Sequence, residues 1–347
     1  MSSRTVTVAL HKGFLGQRMN AWESLDVSAL LCALRVHGLA AESREIASLL
    51  QDREPPPGYV FYASTQRPGE RIYGHTAMLE LEARGAKCVV PFGILSCHDN
   101  KGMQALVAER LGLPMPRQRF VYLAAGKDGL QGMDTEDLGW PVVLKAVNGA
   151  VSSGVWLCRS PEEVERRVSR LALRESSFSQ VYGLLRAIGK RFLARSRYDR
   201  RQVSYQRGGV GVVLQEFLPK LEHDFKVLVF GDTCYVLQRK VRPRDFRASG
   251  SGLFFWPEEV PDAVLDVART VRERADIPCV SLDVAVLEGR AVCIEFQPVH
   301  FGPTTFLGSP RRYQFHEGRW RIIQERGYES LEAAYAYAIA WWVDRRP

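Results

Sequence analysis

The sequence predicts an open α/β domain followed by a larger region of α+β layers. Three observations lead there. The chain has 347 residues, which at roughly 100–200 residues per domain implies at least two domains. Its first 95 or so residues alternate strand-like apolar runs with helical periodicity, the pattern of a small open α/β unit. From Asn100 the strands come in pairs joined by short Gly turns, with helices between the pairs, which fits α+β layers better than a doubly wound sheet.

Composition sets the outer bounds. The chain is 46% hydrophobic and 25% charged, the balance of a globular protein and not of a disordered or fibrous one. The seven Cys form no CxxC pair and no cluster with His at metal-ligand spacing. Most lie in apolar runs such as AVCIEF, so they read as reduced core thiols of a cytoplasmic protein. The start, MSSRTVTVAL, has no apolar stretch of the signal-peptide kind, and no run of 18 apolar residues could span a membrane. Net charge is +8, but its placement is uneven: residues 174–207 carry nine basic and two acidic side chains. A nucleic-acid protein spreads basic charge over a whole face. Here it is one local device, so nucleic acid is not expected as a partner.

Taken in order, VTVAL (6–10) reads as the first strand. WESLDVSALLCALRVHG follows with Leu25, Ala29, Cys32 and Val36 near helical spacing, ending at Gly38. A Pro-rich link, EPPPG, precedes strand YVFYA (59–63), a helix through MLELEARG and strand CVVPF (88–92). Ligands of open α/β sheets gather beyond the carboxyl ends of the strands. That singles out His11-Lys12 and Ser64-Thr65-Gln66-Arg67. Next come helix KGMQALVAERLG, strands WPVVLKAV (140–147) and GVWLC (154–158), and helix PEEVERRVSRLAL (161–173). In the basic segment, Val181, Leu184, Leu185, Ile188, Phe192 and Leu193 fall on one helical face, which predicts a helix docked by those residues. Strands VGVVLQEFL (210–218), FKVLVFG (225–231) and TCYVLQRKV (233–241) precede a helix over 261–275. A strand pair over 279–299 and a helix near 329–343 close the chain.

That strand pair carries the densest chemistry. Asp283 lies in apolar VSLDVAV, and Glu295 and Gln297 lie in apolar VCIEFQP. Burying a carboxylate there costs several kcal/mol unless a charge compensates. Alternation puts Glu295 and Gln297 on one face, and an oxygen-rich cluster of this kind suits a hard cation such as Mg²⁺. Asp283 joins them only if cross-strand partners have an even index sum. A two-residue turn at Glu288-Gly289 gives an odd sum; a three-residue loop over 287–289 gives an even one, and is the expectation. Elsewhere, Lys145 ends a strand before the small-residue loop NGAVSSG, whose amides could cradle phosphate. QRKVRPRDFRASGSG clusters Arg239, Lys240, Arg242, Arg244 and Arg247, side chains suited to bidentate grip on phosphate or carboxylate.

In this order the blocks resemble the ATP-grasp superfamily, nearest to RimK-type glutamate ligases and bacterial glutathione synthetases. The resemblance covers about residues 99–300. It implies an N-terminal pre-ATP-grasp α/β domain over 1–98 and an ATP-grasp domain over 99–347, with a basic insertion at about 174–209. DNKGMQALVAERLGLPMP resembles the segment with the first nucleotide lysine, implying that role for Lys101. VVLKAVNGAVSSGV implies Lys145 as the second, with Ser152 and Ser153 in the phosphate loop. VVLQEFLPKLEHDFK implies Gln215, Glu216 and Leu218 at the adenine and Asp224 at the ribose. Arg239 and Arg247 are implied at the substrate carboxylate and acyl phosphate. Asp283, Glu295 and Gln297 are implied as ligands of two Mg²⁺ ions, which Mn²⁺ could replace. Two positions depart from the family: its Glu-x-Asn is Glu-x-Gln here, and its Asp-x-Arg is Asp224-Phe-Lys226. The implied activity is ATP-dependent joining of a carboxylate and an amine, small-molecule or peptide, through an acyl phosphate. An ATP-grasp kinase and a non-catalytic nucleotide-binding protein are the alternatives. The basic insertion adds an acidic substrate, peptide or surface as a partner.

Overall fold

The computed structural model describes residues 4–125, 130, 136–147, 154–175, 178–193, 199–206, 208–243, 245–299 and 301–346. They form two units, one from residues 1–115 together with 220–347, the other from 116–219.

The first unit opens with a parallel sheet in the order β2-β1-β3-β4: β1 (Thr5–Leu10), β2 (Ala40–Glu45), β3 (Tyr59–Phe61) and β4 (Lys87–Cys88). Between these strands run α1 (Val27–Val36), α2 (Ile46–Gln51) and α3 (Pro68–Ala83), with α4 (Phe92–Leu95) and α5 (Lys101–Leu111) after them. Asp26 caps α1 by accepting from the Ala29 amide at 2.7 Å, and Asn100 caps α5 through the Met103 amide at 3.0 Å. The sequence reading missed β2. Its AAESRE buries only Ala41 and has low strand propensity, so its pairing with β1, not its composition, makes it a strand.

The second unit holds an antiparallel sheet in the order β5-β8-β6-β7. Its strands are β5 (Gln118–Ala124), β6 (Val142–Ala146), β7 (Val155–Cys158) and β8 (Gly209–Glu216). Helix α6 (Pro161–Glu175) covers it through Val164, Val168 and Leu171, which share a core with Val142, Leu144, Val212 and Leu214. The basic segment forms α7 (Phe178–Leu193) and α8 (Arg200–Gln206). Of the predicted docked face of α7, Val181 and Leu184 are half-buried, Leu185 is 63% exposed and Ile188 38%, while the side chains of Phe192 and Leu193 lie outside the described residues. Ala187 is buried, the helix packs on α8, and Gly183 lets the Gln206 side chain come close.

The first unit resumes with an antiparallel sheet in the order β13-β12-β9-β10-β14-β15. It contains β9 (His223–Phe230), β10 (Thr233–Lys240), β12 (Cys279–Leu287), β13 (Arg290–Gln297), β14 (Arg312–His316) and β15 (Arg319–Ile323). The short β11 (Phe254–Phe255) pairs with β10 off this path. Helices α9 (Asp262–Ala275), α10 (Thr304–Gly308) and α11 (Leu331–Val343) complete the unit. Helix α11 packs against α1, and Gln17 donates to the Val299 carbonyl at 3.1 Å and to the Tyr335 hydroxyl at 2.9 Å, so both chain segments share one core. All seven cysteines are free thiols; six are buried and Cys32 is exposed.

The β12–β13 hairpin overturns the expected loop. Its turn has two residues, Glu288 (φ 50°) and Gly289 (φ 79°), between the paired Leu287 and Arg290. The left-handed conformation at both positions is that of a type I′ turn. The odd sum this sets is corrected further along. A bulge between Asp283 and Val284 leaves Ile294 extra, so Val284 faces Cys293 but Asp283 faces Glu295.

Candidate functional site

The bulge puts Asp283 and Glu295 directly opposite each other, with Ser281 opposite Gln297, so the two acids and the amide share a face. On the other side of β12, Asp283 lies beside Lys226 of β9, and Asp224 of β9 lies beside Arg239 of β10. Four charged side chains thus meet on one sheet face. Arg239 donates to both oxygens of Asp224, through Nε at 2.7 Å and Nη2 at 2.6 Å. The same Nη2 lies 2.9 Å from Asp283 Oδ2, and Lys226 Nζ donates to Asp283 Oδ1 at 2.9 Å. Asp224 is 2% exposed, Arg239 7% and Asp283 8%.

Burial at this depth is tolerable because two cations balance two anions and each bond is charge-assisted. Burial alone would raise the Asp283 carboxyl, but Arg239 and Lys226 outweigh it and hold it well below the usual carboxylate range. At Asp224 burial wins and the carboxyl is pushed up to about 6 against the pull of Arg239. The two acids therefore differ in kind: Asp283 stays ionised, and Asp224 is the partner that Arg239 must hold.

Glu295 is the more accessible acid, its side chain 28% exposed. Lys101, the first residue of α5 and itself buried, brings Nζ to 3.7 Å from Glu295 Oε1. Gln297 donates through Nε2 to the same oxygen at 3.3 Å, and its Oε1 accepts from the Asp99 amide at 3.1 Å. So Lys101, Glu295, Gln297, Asp283, Lys226, Arg239 and Asp224 form one contiguous polar group. Two carboxyl groups on one face are oxygen donors of the type a hard divalent cation takes. Among the described residues no three His, Cys, Asp or Glu side chains are arranged to hold a metal ion, so an ion here would rely on Asp283, Glu295 and neighbouring oxygens, and would compete with Lys226 and Arg239 for Asp283.

Arg247 is held by an acid of its own loop. It pairs with Asp245, Nε to Oδ1 and Nη2 to Oδ2 both at 3.0 Å, while Arg242 ties the same loop together by donating to the Ser251 carbonyl at 3.0 Å. In the second unit, Lys145 is buried on β6. Gln215 donates from Nε2 to Gln118 Oε1 at 3.0 Å, and Glu216 receives both arms of Arg117 at 3.1 Å. Leu218 is half-buried just past β8. Ser152 and Ser153 lie outside the described residues.

The N-terminal sheet adds residues that sequence reasoning missed. Ser64, at φ 63° beyond β3, bonds through Oγ to His75 Nε2 at 2.9 Å. Arg71, one turn before His75 on α3, donates to Asp99 at 2.8 Å, and Asp99 is the residue that holds Gln297. Burial, helped by Arg71, lowers His75 to about 4, so it is neutral near pH 7. The carboxyl-end rule had singled out Ser64; the four-residue spacing of Arg71 and His75 was the available signal for the rest.

No family model matches the chain. A formate-dependent phosphoribosylglycinamide formyltransferase from Wolinella succinogenes is 33% identical over 91 residues, 26% of this chain and 22% of that protein. The match thus spans about a fifth of that relative's length. Likeness in structure runs through the whole chain. D-cycloserine synthetase DcsG matches with TM-score 0.54 at 12% identity, covering 97% of this chain and 98% of its own. A RimK domain ATP-grasp protein from Sphaerobacter thermophilus matches with TM-score 0.52 at 14% identity over 96% and 98%. The ATP-grasp ligase PsnB, complexed with precursor peptide PsnA2 and AMPPNP, matches with TM-score 0.52 at 12% identity over 99% and 100%.

Proposed function

The chain has the ATP-grasp fold, and from that premise we propose that it is an ATP-dependent ligase of the RimK and glutathione synthetase kind, joining a carboxylate to an amine. The observation that carries this reading is the paired Asp283 and Glu295, brought onto one face by a bulge and flanked by Lys101, Lys226 and Arg239. Such a face suits a reaction whose barrier is mostly repulsion between anions.

In the proposed reaction a substrate carboxylate attacks the γ-phosphorus of ATP, giving an acyl phosphate and ADP. The amine then attacks the acyl carbon and phosphate leaves. Asp283 and Glu295 would hold Mg²⁺, which when bound supplies charge neutralisation at the phosphates. Gln297 orients Glu295 through its Nε2 and is itself held by the Asp99 amide. Lys101 lies beside Glu295, and Lys101 and Lys145 are assigned to the nucleotide phosphates as sources of positive charge. Arg239 fixes Asp224 and Asp283, which makes it a positioning residue; Arg247 is the arginine assigned to the acyl phosphate. Gln215, Glu216 and Leu218 are assigned to the adenine, with Ser152 and Ser153 in the phosphate loop. Asp224 was implied at the ribose, but with both oxygens on Arg239 it serves here as the anchor of that arginine. Support for a peptide acceptor comes from PsnB, a neighbour in fold that binds a precursor peptide. The basic segment at 174–209 would draw an acidic one.

Glu295→Gln is the direct test. Removing one anion from the face should lower ATP-dependent ligation by about a hundredfold or more. Unchanged far-UV circular dichroism separates this from misfolding. ADP release at the wild-type rate would sink the assignment. Hydroxylamine should trap the acyl group as a hydroxamate, and ADP formed on a hydroxyl substrate without hydroxamate would make the enzyme a kinase.

A further inference from the structure

The last turn of α9, the end of α11 and the β14–β15 hairpin enclose a cavity of about 170 Å³. It adjoins Val229 and Gly231 at the end of β9, whereas Lys226 and Asp224 lie three and five residues before Val229, about 10 and 16 Å away along the strand at 3.3 Å per residue. It is therefore separate from the candidate site.

Its lining is unusual in charge and in unmet hydrogen bonds. Arg269, Arg272 and Arg345 line it with Asp232, Glu273 and Trp341. Three guanidiniums line it with two carboxylates, both already engaged, and Arg269 also lies 3.8 Å from Asp266 outside the lining. Asp232 accepts from the Tyr337 hydroxyl at 2.7 Å and from Gln314 Nε2 at 3.2 Å. Glu273 is shared by Arg272 at 3.0 Å and Arg269 at 3.3 Å. Arg272 is only 7% exposed, and its guanidinium lies over the Trp341 ring with 4.6 Å to the centroid. Arg345 lies over the same ring at 3.8 Å. Three N–H groups here, Arg269 Nε, Arg272 Nε and Trp341 Nε1, are buried with no acceptor among the described residues.

Buried donors are rarely left orphaned, and three around one cavity with surplus positive charge call for an acceptor that is an anion. Planar guanidiniums and the indole N–H favour a small planar or tetrahedral oxyanion. We infer that this cavity is a binding site for a small oxyanion, a carboxylate or a phosphate, held by Arg272 and Trp341 and distinct from the site of ATP chemistry.

Calorimetric titration of the full chain with sodium phosphate and, separately, with sodium succinate tests this. Both titrations are run in low-chloride buffer with AMPPNP present to occupy the nucleotide site. One saturable site is expected for at least one anion, and which anion binds identifies the source. Trp341→Phe keeps the ring and removes its donor, and Arg272→Lys keeps the charge and removes the Nε donor. Each should weaken binding about tenfold. Should Arg272→Lys fail to fold, Trp341→Phe and the exposed Arg345→Gln carry the comparison. No saturable binding of either anion, or binding unchanged by every folded variant, would mean that water fills the cavity, and the inference falls.

Discussion

Arg239 shows how much of the candidate site depends on single side chains. It is buried, and it alone links Asp224 to Asp283. Replacing it with Met removes the cation bonded to both oxygens of Asp224 and leaves Asp283 its bond from Lys226. Breaking a buried ion pair from one side costs about 3–5 kcal/mol, since the stranded charge keeps its desolvation penalty. Urea unfolding should show a loss of that size for Arg239→Met; a loss below about 1 kcal/mol would mean that the acids are not held by this arginine. The residue types at the site were legible from sequence because carboxylates and Lys in apolar strands are costly without partners. Their pairing was not. The pattern put Arg239 on a strand and Arg247 past it, but nothing in RKVRPRDFRASG shows that the first reaches Asp224 and the second closes on Asp245 two residues away.

Among elements, the β12–β13 hairpin separates what patterning can reveal from what it cannot. The alternation of VSLDVAV and VCIEFQ placed both strands correctly. The register needed two facts of backbone geometry, a type I′ turn and a bulge at Ile294, and only the first has a sequence signature. Glu288 sits at φ 50° without the side chain that suits it. Asn is favoured at that position, so Glu288→Asn should stabilise the protein by about 0.5–1 kcal/mol, with ligation unchanged. A shift of the urea midpoint to lower concentration would contradict the turn type. The β14–β15 hairpin was overlooked for the reason that β2 was. Arg312–His316 and Arg319–Ile323 are partly exposed and rich in Arg, and the second is the edge of the sheet, so they carry little hydrophobic signal.

At the scale of the whole molecule, the α/β and α+β division was legible from the order of strands and helices. The exposed chemistry of α7 was less so. Tyr182 is 60% exposed, Leu185 63% and Tyr205, on α8, 85%, with basic Arg186 and Lys190 nearby in sequence. An apolar and basic surface of this kind is expected to speed capture of an acidic acceptor, an advantage that salt should screen. Replacing residues 176–208 with a short Gly/Ser bridge should raise KM for such an acceptor several-fold at low ionic strength and leave ATP binding unchanged. If KM and its salt dependence stay the same in a folded deletion variant, the segment is structural and the acidic acceptor is withdrawn.

The division of the chain also bears on how it is made. Residues 116–219 form one unbroken unit, but the other unit is split around it. During synthesis the inner unit has its whole sequence available while the N-terminal sheet still lacks α11, the helix that packs on α1. Domains fold as units and in order of emergence, so the N-terminal sheet reaches its final packing only after residues 116–219 have been made. For that interval Leu30, Leu34 and Phe61 wait for partners near the end of the chain, and a nascent chain in this state is a natural client for a chaperone.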